Sequence, residues 1–291
     1  MTDGDALGTY LRSRRDQVKP EEIGLPASAR RRVPGLRREE VAMLAGISAE
    51  YYLRLEQGRD LHPSPQVLEH LARVLMLDEH ERAYLMQLAR PVRRRATRRA
   101  PERVAPGVRQ LVMTRTDTPA FVQGRYLDVL VANPLATALS PSYRVGLNLL
   151  REAFLNPQVR ALHEDWEGAS GSIVASLRAL AGPEAYDQRL AELVGELSVR
   201  SEEFRRLWAR HDVRPRLSGV SWLNHPQLGR LQLNYEKFVI HASDGQLLVV
   251  YHAAPGSEAA RNLALLTHLV ESAEPASAAP APAEAVPETR R

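Results

Sequence analysis

Two short helical stripes of apolar residues meet at Gly46, and this junction constrains the fold of the N-terminal third more than any other feature. Ala45 is small enough to let two helices approach closely, and Gly46 stands where the chain must turn in a left-handed conformation. Ile47 is expected to plug the turn, whereas Tyr52 and Leu55 lie at helical spacing and face a core. The pattern has helix-turn-helix spacing and predicts an outward face on the second helix.

The flanking sequence predicts an all-α domain of five helices over residues 6–89. Ser64 followed by Pro65 is a favourable start for a fourth helix, because serine caps the first turn and proline is tolerated at its first position. Asp78 and Glu81 have the spacing of a capping box and indicate the start of a fifth helix.

The basic residues are distributed unevenly along the chain. Residues 1–103 carry 20 basic and 15 acidic side chains, whereas residues 104–291 carry 19 and 20. Arginines cluster at 30–38 and at 90–103, which suits a polyanion because neutralised phosphates release counterions. Charge alone is better explained by a solvated surface or a flexible linker. Combined with the spacing around the turn, it favours duplex DNA over an ordinary αα-hairpin within a helical bundle.

Composition divides the rest of the chain into three parts. Residues 90–103 are rich in arginine and bounded by proline, which is typical of a linker between domains. Residues 104–271 mix strand and helix patterns and form the second predicted domain. Residues 272–291 are rich in alanine, proline and glutamate without apolar periodicity, so we expect them to be disordered.

The second domain is predicted to be α+β with an antiparallel sheet. Two short β-rich stretches flank Gly124, and helical stripes follow, of which the longest runs from Leu190 to Trp208. Residues 231–235 alternate apolar and polar side chains like a half-buried strand. The hairpin signal at Asp244-Gly245 then leads into a further apolar strand. Strands, helices and a late meander in this order favour a single sheet covered by helices.

Several classes of protein are disfavoured by what the sequence lacks. The chain has no cysteine, its nine histidines form no close ligand pair, and residues 168–172 resemble a nucleophile elbow only loosely. We therefore expect no enzymatic activity, no metal and no cofactor other than a bound small ligand. No run of 18 apolar residues occurs and the N-terminus is polar and acidic, so the expected location is the cytoplasm, at the nucleoid, without membrane association.

Both halves of the chain resemble one group of bacterial regulators. Residues 31–42 and 53–59 are similar to an Xre-type helix-turn-helix subgroup with a long basic loop between its first two helices. Residues 195–201, 204–213 and the pair His225-Pro226 resemble the MmyB-like ligand-binding domain of that subgroup. The resemblance covers about residues 7–270. It implies a PAS-like second domain that encloses a pocket, with a fatty acid as an associated ligand type.

The resemblance also implies roles for individual residues. Ala49, Glu50 and Arg54 match base-reading positions, at which arginine donates to guanine, glutamate accepts from cytosine and alanine offers a methyl contact. Arg15 and Glu56 match a structural ion pair between the first and third helices. The residues expected at the DNA backbone are Arg31, Arg32, Arg38, Ser48 and Tyr51.

The resulting hypothesis is a sequence-specific transcriptional regulator that binds double-stranded DNA as a homodimer and responds to a small amphipathic ligand. Its half-sites are expected about 34 Å apart. Arg205, Arg210 and His211 are candidates to meet an acidic head group. In one alternative, the second domain serves only dimerisation or a protein partner; in another, it is an enzyme attached to a DNA-binding domain. The apolar residues expected to line a pocket are Phe121, Val131, Leu150, Phe154, Trp166, Leu177, Phe204 and Trp208.

Overall fold

A computed structural model describes most of the chain, in five stretches. Arg31 and Arg32, nearly all of the expected linker and the expected disordered tail lie outside the described residues. The described stretches are residues 3–26, 33–60, 62–89, 101–182 and 187–273.

The N-terminal domain is a five-helix array, which confirms the predicted all-α fold. Tyr10, Tyr52 and Leu55 are fully buried at its centre, so the helical spacing around Gly46 places its apolar stripe on the core as expected. A short 3₁₀ turn, Pro20–Ile23, follows the first helix. The five helices are α1 (Asp3–Gln17), α2 (Arg38–Ala45), α3 (Ala49–Glu56), α4 (Pro65–Val74) and α5 (Glu79–Leu88).

The predicted caps fix the starts of the last two helices of this domain. The Ser64 hydroxyl accepts a hydrogen bond from the Val67 amide at 3.3 Å at the start of α4. At α5 the Asp78 carboxylate accepts from the Glu81 amide at 2.9 Å, and the Glu81 carboxylate accepts from the Asp78 amide at 3.0 Å. Each cap satisfies amides that the helix itself leaves without a partner.

Helix α1 crosses α3 so closely that only glycine fits at position 8. A β-carbon on Gly8 would lie 2.3 Å from the Glu56 carbonyl oxygen, well inside van der Waals contact. We therefore expect Gly8→Ala to push the helices apart and to lower the free energy of unfolding by about 1–3 kcal/mol in urea titrations. Gly107→Ala is the matched control, because its β-carbon would meet no atom within 4 Å. Equal stability of the two variants would contradict the close crossing.

The second domain contains one five-stranded antiparallel sheet with helices on both faces, which confirms the predicted α+β class. The strand order is β2-β1-β5-β4-β3. The strands are β1 (Ala120–Gln123), β2 (Val129–Ala132), β3 (Ser218–His225), β4 (Gly229–Val239) and β5 (Leu247–His252). The helices are α6 (Pro106–Met113), α7 (Pro134–Leu139), α8 (Leu149–Leu155), α9 (Pro157–Leu162), α10 (Trp166–Ala181), α11 (Gln188–Arg200), α12 (Glu202–Ala209) and α13 (Glu258–Ala273).

The two faces of the sheet have separate cores. On one face α6 contributes Val112, which packs with Val122 and Val131. On the other face the remaining helices form a larger core, in which Phe121 of β1 and Phe204 of α12 are both buried. Because successive residues of a strand point to opposite faces, neighbouring positions of β1 serve different cores.

The apolar stripe from Leu190 to Trp208 forms two helices, not one. Helix α11 ends at Arg200, and the Ser201 hydroxyl accepts from the Phe204 amide at 3.1 Å to start α12. Serine bonds readily to nearby backbone amides, so it competes with helix continuation, and the periodicity of apolar residues does not reveal such a break.

Strand β3 was not predicted from the sequence, because its alternation is partly reversed. Leu223 faces the core and is fully buried, whereas Val220 is half exposed and Gly219 takes an inward position. The turn that follows is held by His225, whose Nδ1 accepts from the Gln227 and Leu228 amides while Nε2 donates to the Ala138 carbonyl at 3.1 Å. This histidine is therefore structural.

Two classes of feature are absent from the described residues. No helix among them combines the length and the apolarity needed to cross a membrane. No group of three or more histidine, aspartate or glutamate side chains in the same residues could hold a metal ion.

Candidate nucleic-acid interface and ligand cavity

The turn between α2 and α3 sets the direction of the third helix. Gly46 takes the left-handed conformation with φ of 69°, and its amide donates to the Met43 carbonyl at 3.2 Å. Two residues later the Ser48 hydroxyl accepts from the Tyr51 amide at 3.1 Å and caps α3. The capped amides form the positive end of the helix, which suits a phosphate group.

Helix α3 presents one face to solvent and one to the core. Ala49, Glu50 and Arg54, the residues expected to read bases, are all exposed. Tyr52 and Leu55 on the opposite side are fully buried. Among the described residues, no side chain of the second domain forms a hydrogen bond or ion pair with α3. The outward face is thus open to a large partner.

The Arg54 side chain, in the last turn of α3, is held by an aromatic neighbour. Its guanidinium carbon lies 5.7 Å from the centre of the Tyr51 ring, within the range of a cation–π contact. Burial raises the pKa of the Tyr51 phenol, and the charge of Asp60 raises it further, so the phenol stays protonated and can donate to a phosphate.

A buried carboxylate ties three helices of the N-terminal domain together. Glu56 accepts from Arg15 Nε and from Arg38 Nε, both at 2.6 Å, and Arg15 also donates to the Leu36 carbonyl at 2.8 Å. Burial opposes the ionisation of Glu56, but the hydrogen bonds from both arginines outweigh it and lower its pKa. Sequence reasoning missed the second arginine: Arg38 lies at the start of α2 as expected, yet it also holds Glu56.

A cavity of about 200 Å³ lies between the inner face of the sheet and α10. An engineered cavity of roughly 150 Å³ accepts benzene, so this volume suits a small apolar group. Its walls include six Phe, Tyr and Trp side chains, Phe121, Tyr143, Trp166, Trp222, Tyr235 and Tyr251.

Only Phe121 and Trp166 of the eight residues expected to line a pocket lie on this cavity. Val131 lies on the opposite face of the sheet, beneath α6. Five others fill or pack against the solid core: Leu150, Phe154, Leu177, Phe204 and Trp208. The expectation is corrected for these six, because apolar periodicity identifies a buried face without showing whether atoms or empty space lie opposite it.

One wall of the cavity carries a cation without an acidic partner. The apolar residues of β4 alternate inward, and the same period of two places Lys237 on the cavity beside Tyr235. No described carboxylate forms an ion pair with its ammonium group. Burial lowers the pKa of Lys237 to about 8, and the positive charge of Arg216, also on the cavity wall, contributes to this shift.

A second polar group on the wall lacks a partner. Gln123 is 2% exposed, and its side-chain nitrogen has no hydrogen-bond acceptor among the described atoms. An unsatisfied buried donor is costly, so it indicates a place where an acceptor is expected. Apolar walls, a lone ammonium group and an unpaired amide donor together match a small molecule with an apolar body and an anionic or strongly accepting end.

Comparisons with known families agree with both the exposed helix of the first domain and the cavity of the second. A model of the MmyB-like transcription regulator ligand binding domain matches residues 104–266, and a helix-turn-helix domain model matches residues 6–85. The chain belongs to the MmyB-like transcription regulators. No match to a curated protein was found. The protein is therefore a DNA-binding transcription regulator with a ligand-binding domain.

The head-group candidates from the sequence of this MmyB-like regulator do not lie on the cavity wall. Arg205 is exposed and donates to the Ser198 carbonyl, while Arg210 pairs with Asp212 at 3.0 Å. His211 contacts a guanidinium group outside the cavity. Arg205 lies within α12, and Arg210 and His211 follow its end. The polar groups on the cavity wall include Gln123 and Lys237, which come from strands instead.

Proposed function

We propose that this regulator reads a DNA duplex with Ala49, Glu50 and Arg54 and responds to a small amphipathic acid, such as a short or medium-chain fatty acid, bound beside Lys237. One observation supports the proposal most. The chain combines a capped helix with an exposed face and a largely apolar cavity, on whose wall Lys237 has no carboxylate partner among the described residues.

The DNA-binding half of the proposal depends on the ends of α2 and α3. Ser48 and Tyr51 lie in the capped first turn of α3, and Arg38 lies at the start of α2, beside Glu56; each supplies a group that can bind a phosphate. Arg38 is 42% exposed on its side chain, so part of its guanidinium remains available although Nε is bound to Glu56. A helix so placed suits the major groove, with its first residues at the base edges.

Enrichment of random-sequence duplexes by the full chain tests this half. We expect a preferred sequence motif to emerge, because exposed side chains on a fixed helix distinguish base pairs in the major groove. A pool that remains random after repeated selection, while still binding in low salt, would show charge-driven attraction only and would overturn the sequence-reading assignment.

The ligand half depends on charge balance within the cavity. Lys237 is half-buried and has no ion-pair partner among the described residues, and a second cation, Arg216, lies on the same wall. The one carboxylate among the lining residues, Asp165, caps α10 through the Gly168 amide and forms no described ion pair with Lys237. A carboxylate would neutralise the ammonium group and accept hydrogen bonds, including the kind that Gln123 offers. The aromatic walls would cover an alkyl chain, so the complete ligand is amphipathic.

Replacement of Lys237 by methionine should weaken the binding of octanoate by about tenfold to a hundredfold, because a charged hydrogen bond in a buried site contributes roughly 1.5–3 kcal/mol. Titration of tryptophan fluorescence measures this, since Trp166 lines the cavity. In the wild type, octanoate binding should also weaken as the pH rises through about 8, because Lys237 then loses its charge.

Two controls separate charge recognition from damage to the fold. Lys19→Met changes the other lysine of the chain, which is exposed in the N-terminal domain, and should leave octanoate binding unchanged. Octanamide, which carries no charge, should bind the wild type and Lys237→Met alike. If Lys237→Met binds octanoate as well as the wild type does, the assignment of the anionic end is wrong.

We further propose that the regulator occupies DNA as a homodimer. A recognition helix of eight residues reaches only a few base pairs, and two copies on a pseudo-palindrome double the sequence that is read. Sedimentation of the full chain with a selected duplex should give two chains per duplex. One chain per duplex at saturation would contradict this.

A further inference from the structure

A segment of the second domain packs into the core of the N-terminal domain and forms a contact between the two. We call residues 210–214, which follow α12, the docking segment. Val213 of this segment is 2% exposed and belongs to the apolar core of the N-terminal domain. The Arg210 carbonyl accepts from the Ser13 hydroxyl at 2.9 Å and from the Gln17 side-chain amide at 2.7 Å, both on α1. The position of the docking segment therefore sets how the DNA-binding domain is held.

Arg178 near the end of α10 fixes the docking segment from the other side. Its guanidinium donates to the Trp208 carbonyl at 2.6 Å, stacks over the Trp208 ring with 3.8 Å to the centroid, and lies 3.1 Å from His211 Nδ1. Burial and the charge of Arg178 lower the pKa of His211 to about 4, so this imidazole is neutral near pH 7 and accepts the hydrogen bond. His211 also takes a left-handed backbone conformation, with φ of 55°, which a non-glycine residue keeps only when its surroundings hold it.

The other half of α10 forms a wall of the ligand cavity. Trp166 and Ser170 of this N-terminal half line it, and Ser176, only two residues before Arg178, extends the wall into the second half of the helix. The Trp166 indole donates to Glu203 at 2.8 Å. Helix α12 is thus bonded to the cavity wall at its first turn and to Arg178 at its last, so a displacement of α10 acts on both ends of α12.

The cavity half of α10 is the weaker half of that helix. Gly168 and Gly171 lie within its first two turns, and glycine in a helix costs about 1 kcal/mol relative to alanine. Between Glu167 and Ile173 this half carries only glycine, alanine and serine. It can therefore adjust to an occupant more readily than the Arg178 end, which is fixed by several contacts.

We propose that α10 and α12 transmit occupancy of the cavity to the docking segment, so that ligand and DNA change each other's affinity. The proposal rests on the proposed function, since it assigns the regulation of the same cavity. Coupling between two sites is reciprocal and typically changes affinity by 5- to 150-fold. Its physical requirement is a packed element that both sites influence, and α12 with the docking segment is that element.

A double-mutant cycle tests the coupling without any ligand. Ala153→Leu fills the cavity from α8, and Ser172→Leu fills it from α10. Each should change the Kd of the full chain for a selected duplex by fivefold or more, and by less than twofold when Arg178→Gln is also present. Arg206→Gln, an exposed change on α12, is the control and should leave the effect of cavity filling intact.

One further double variant and one further measurement keep the test informative if Arg178→Gln fails to fold. If Arg178→Gln does not fold, Ser13→Ala with Gln17→Ala removes both side-chain hydrogen bonds to Arg210 instead. Amide exchange of residues 10–17 should change on cavity filling even without DNA. Cavity filling that changes neither DNA affinity nor exchange, or that acts equally with and without Arg178, overturns the proposal. Failure of wild-type chains to bind octanoate would instead count against the ligand assignment, which this cycle does not use.

Discussion

Replacement of Glu56 by alanine should lower the free energy of unfolding of the N-terminal domain by about 3–5 kcal/mol, because it leaves a buried charge without its counterion. The Glu56 side chain is fully buried, and the Arg15 side chain that it pairs with is only 7% exposed. Asp16 also contacts Arg15 at 2.8 Å, but it is half exposed and replaces Glu56 only weakly. Urea unfolding followed by circular dichroism measures the loss.

The contribution of Glu56 to stability should also depend on pH. Since the folded state lowers the pKa of Glu56, its contribution is fully present above the unfolded pKa of about 4.3 and is lost as the pH falls through the lower folded value. Glu56→Gln should therefore be less stable than the wild type at pH 7 and should approach it in acid. Glu50→Gln, on the exposed face of α3, is the control. Equal losses for both variants would contradict a buried ion pair.

Replacement of Arg54 by alanine should remove about 1–3 kcal/mol of discrimination at one base pair of the preferred sequence, roughly 5- to 150-fold in relative affinity. The reason is that Arg54 projects from the exposed face of α3 and is positioned by Tyr51. Kd values for duplexes that differ at single positions measure the change.

Arg73→Ala is a suitable control for Arg54→Ala, since Arg73 is an exposed arginine in the last turn of α4. It should weaken all duplexes equally if it weakens them at all, because loss of a distant charge carries no base information. An Arg54→Ala variant that keeps the wild-type ranking of duplexes would remove this residue from the set that reads bases.

The sequence predicted the positions of residues that strongly favour one backbone conformation or one capping role. Gly46, Ser64 and Asp78 each need a particular backbone conformation or cap, and the structure uses them at the predicted ends of helices. The hairpin signal at Asp244-Gly245 likewise precedes β5. These are short-range effects, so a single sequence contains them.

The cavity could not be placed because it depends on the packing of distant segments. Phe204 and Trp166 have similar apolar character, yet one fills the core and the other lines empty space. Lys237 had a usable signal, since it continues the inward positions of a strand whose earlier inward residues are apolar. Recognition of that register would have identified an inward-facing cation before the structure was known.

Protection of guanine N7 from dimethyl sulfate on a selected duplex reports directly whether α3 enters the major groove, because N7 lies there. We expect the wild type to protect guanines within the preferred sequence. We also expect Arg54→Ala to restore methylation at one of them while the others stay protected. Binding that leaves every guanine N7 as reactive as in free DNA would contradict the claim that α3 lies in the major groove and reads its bases.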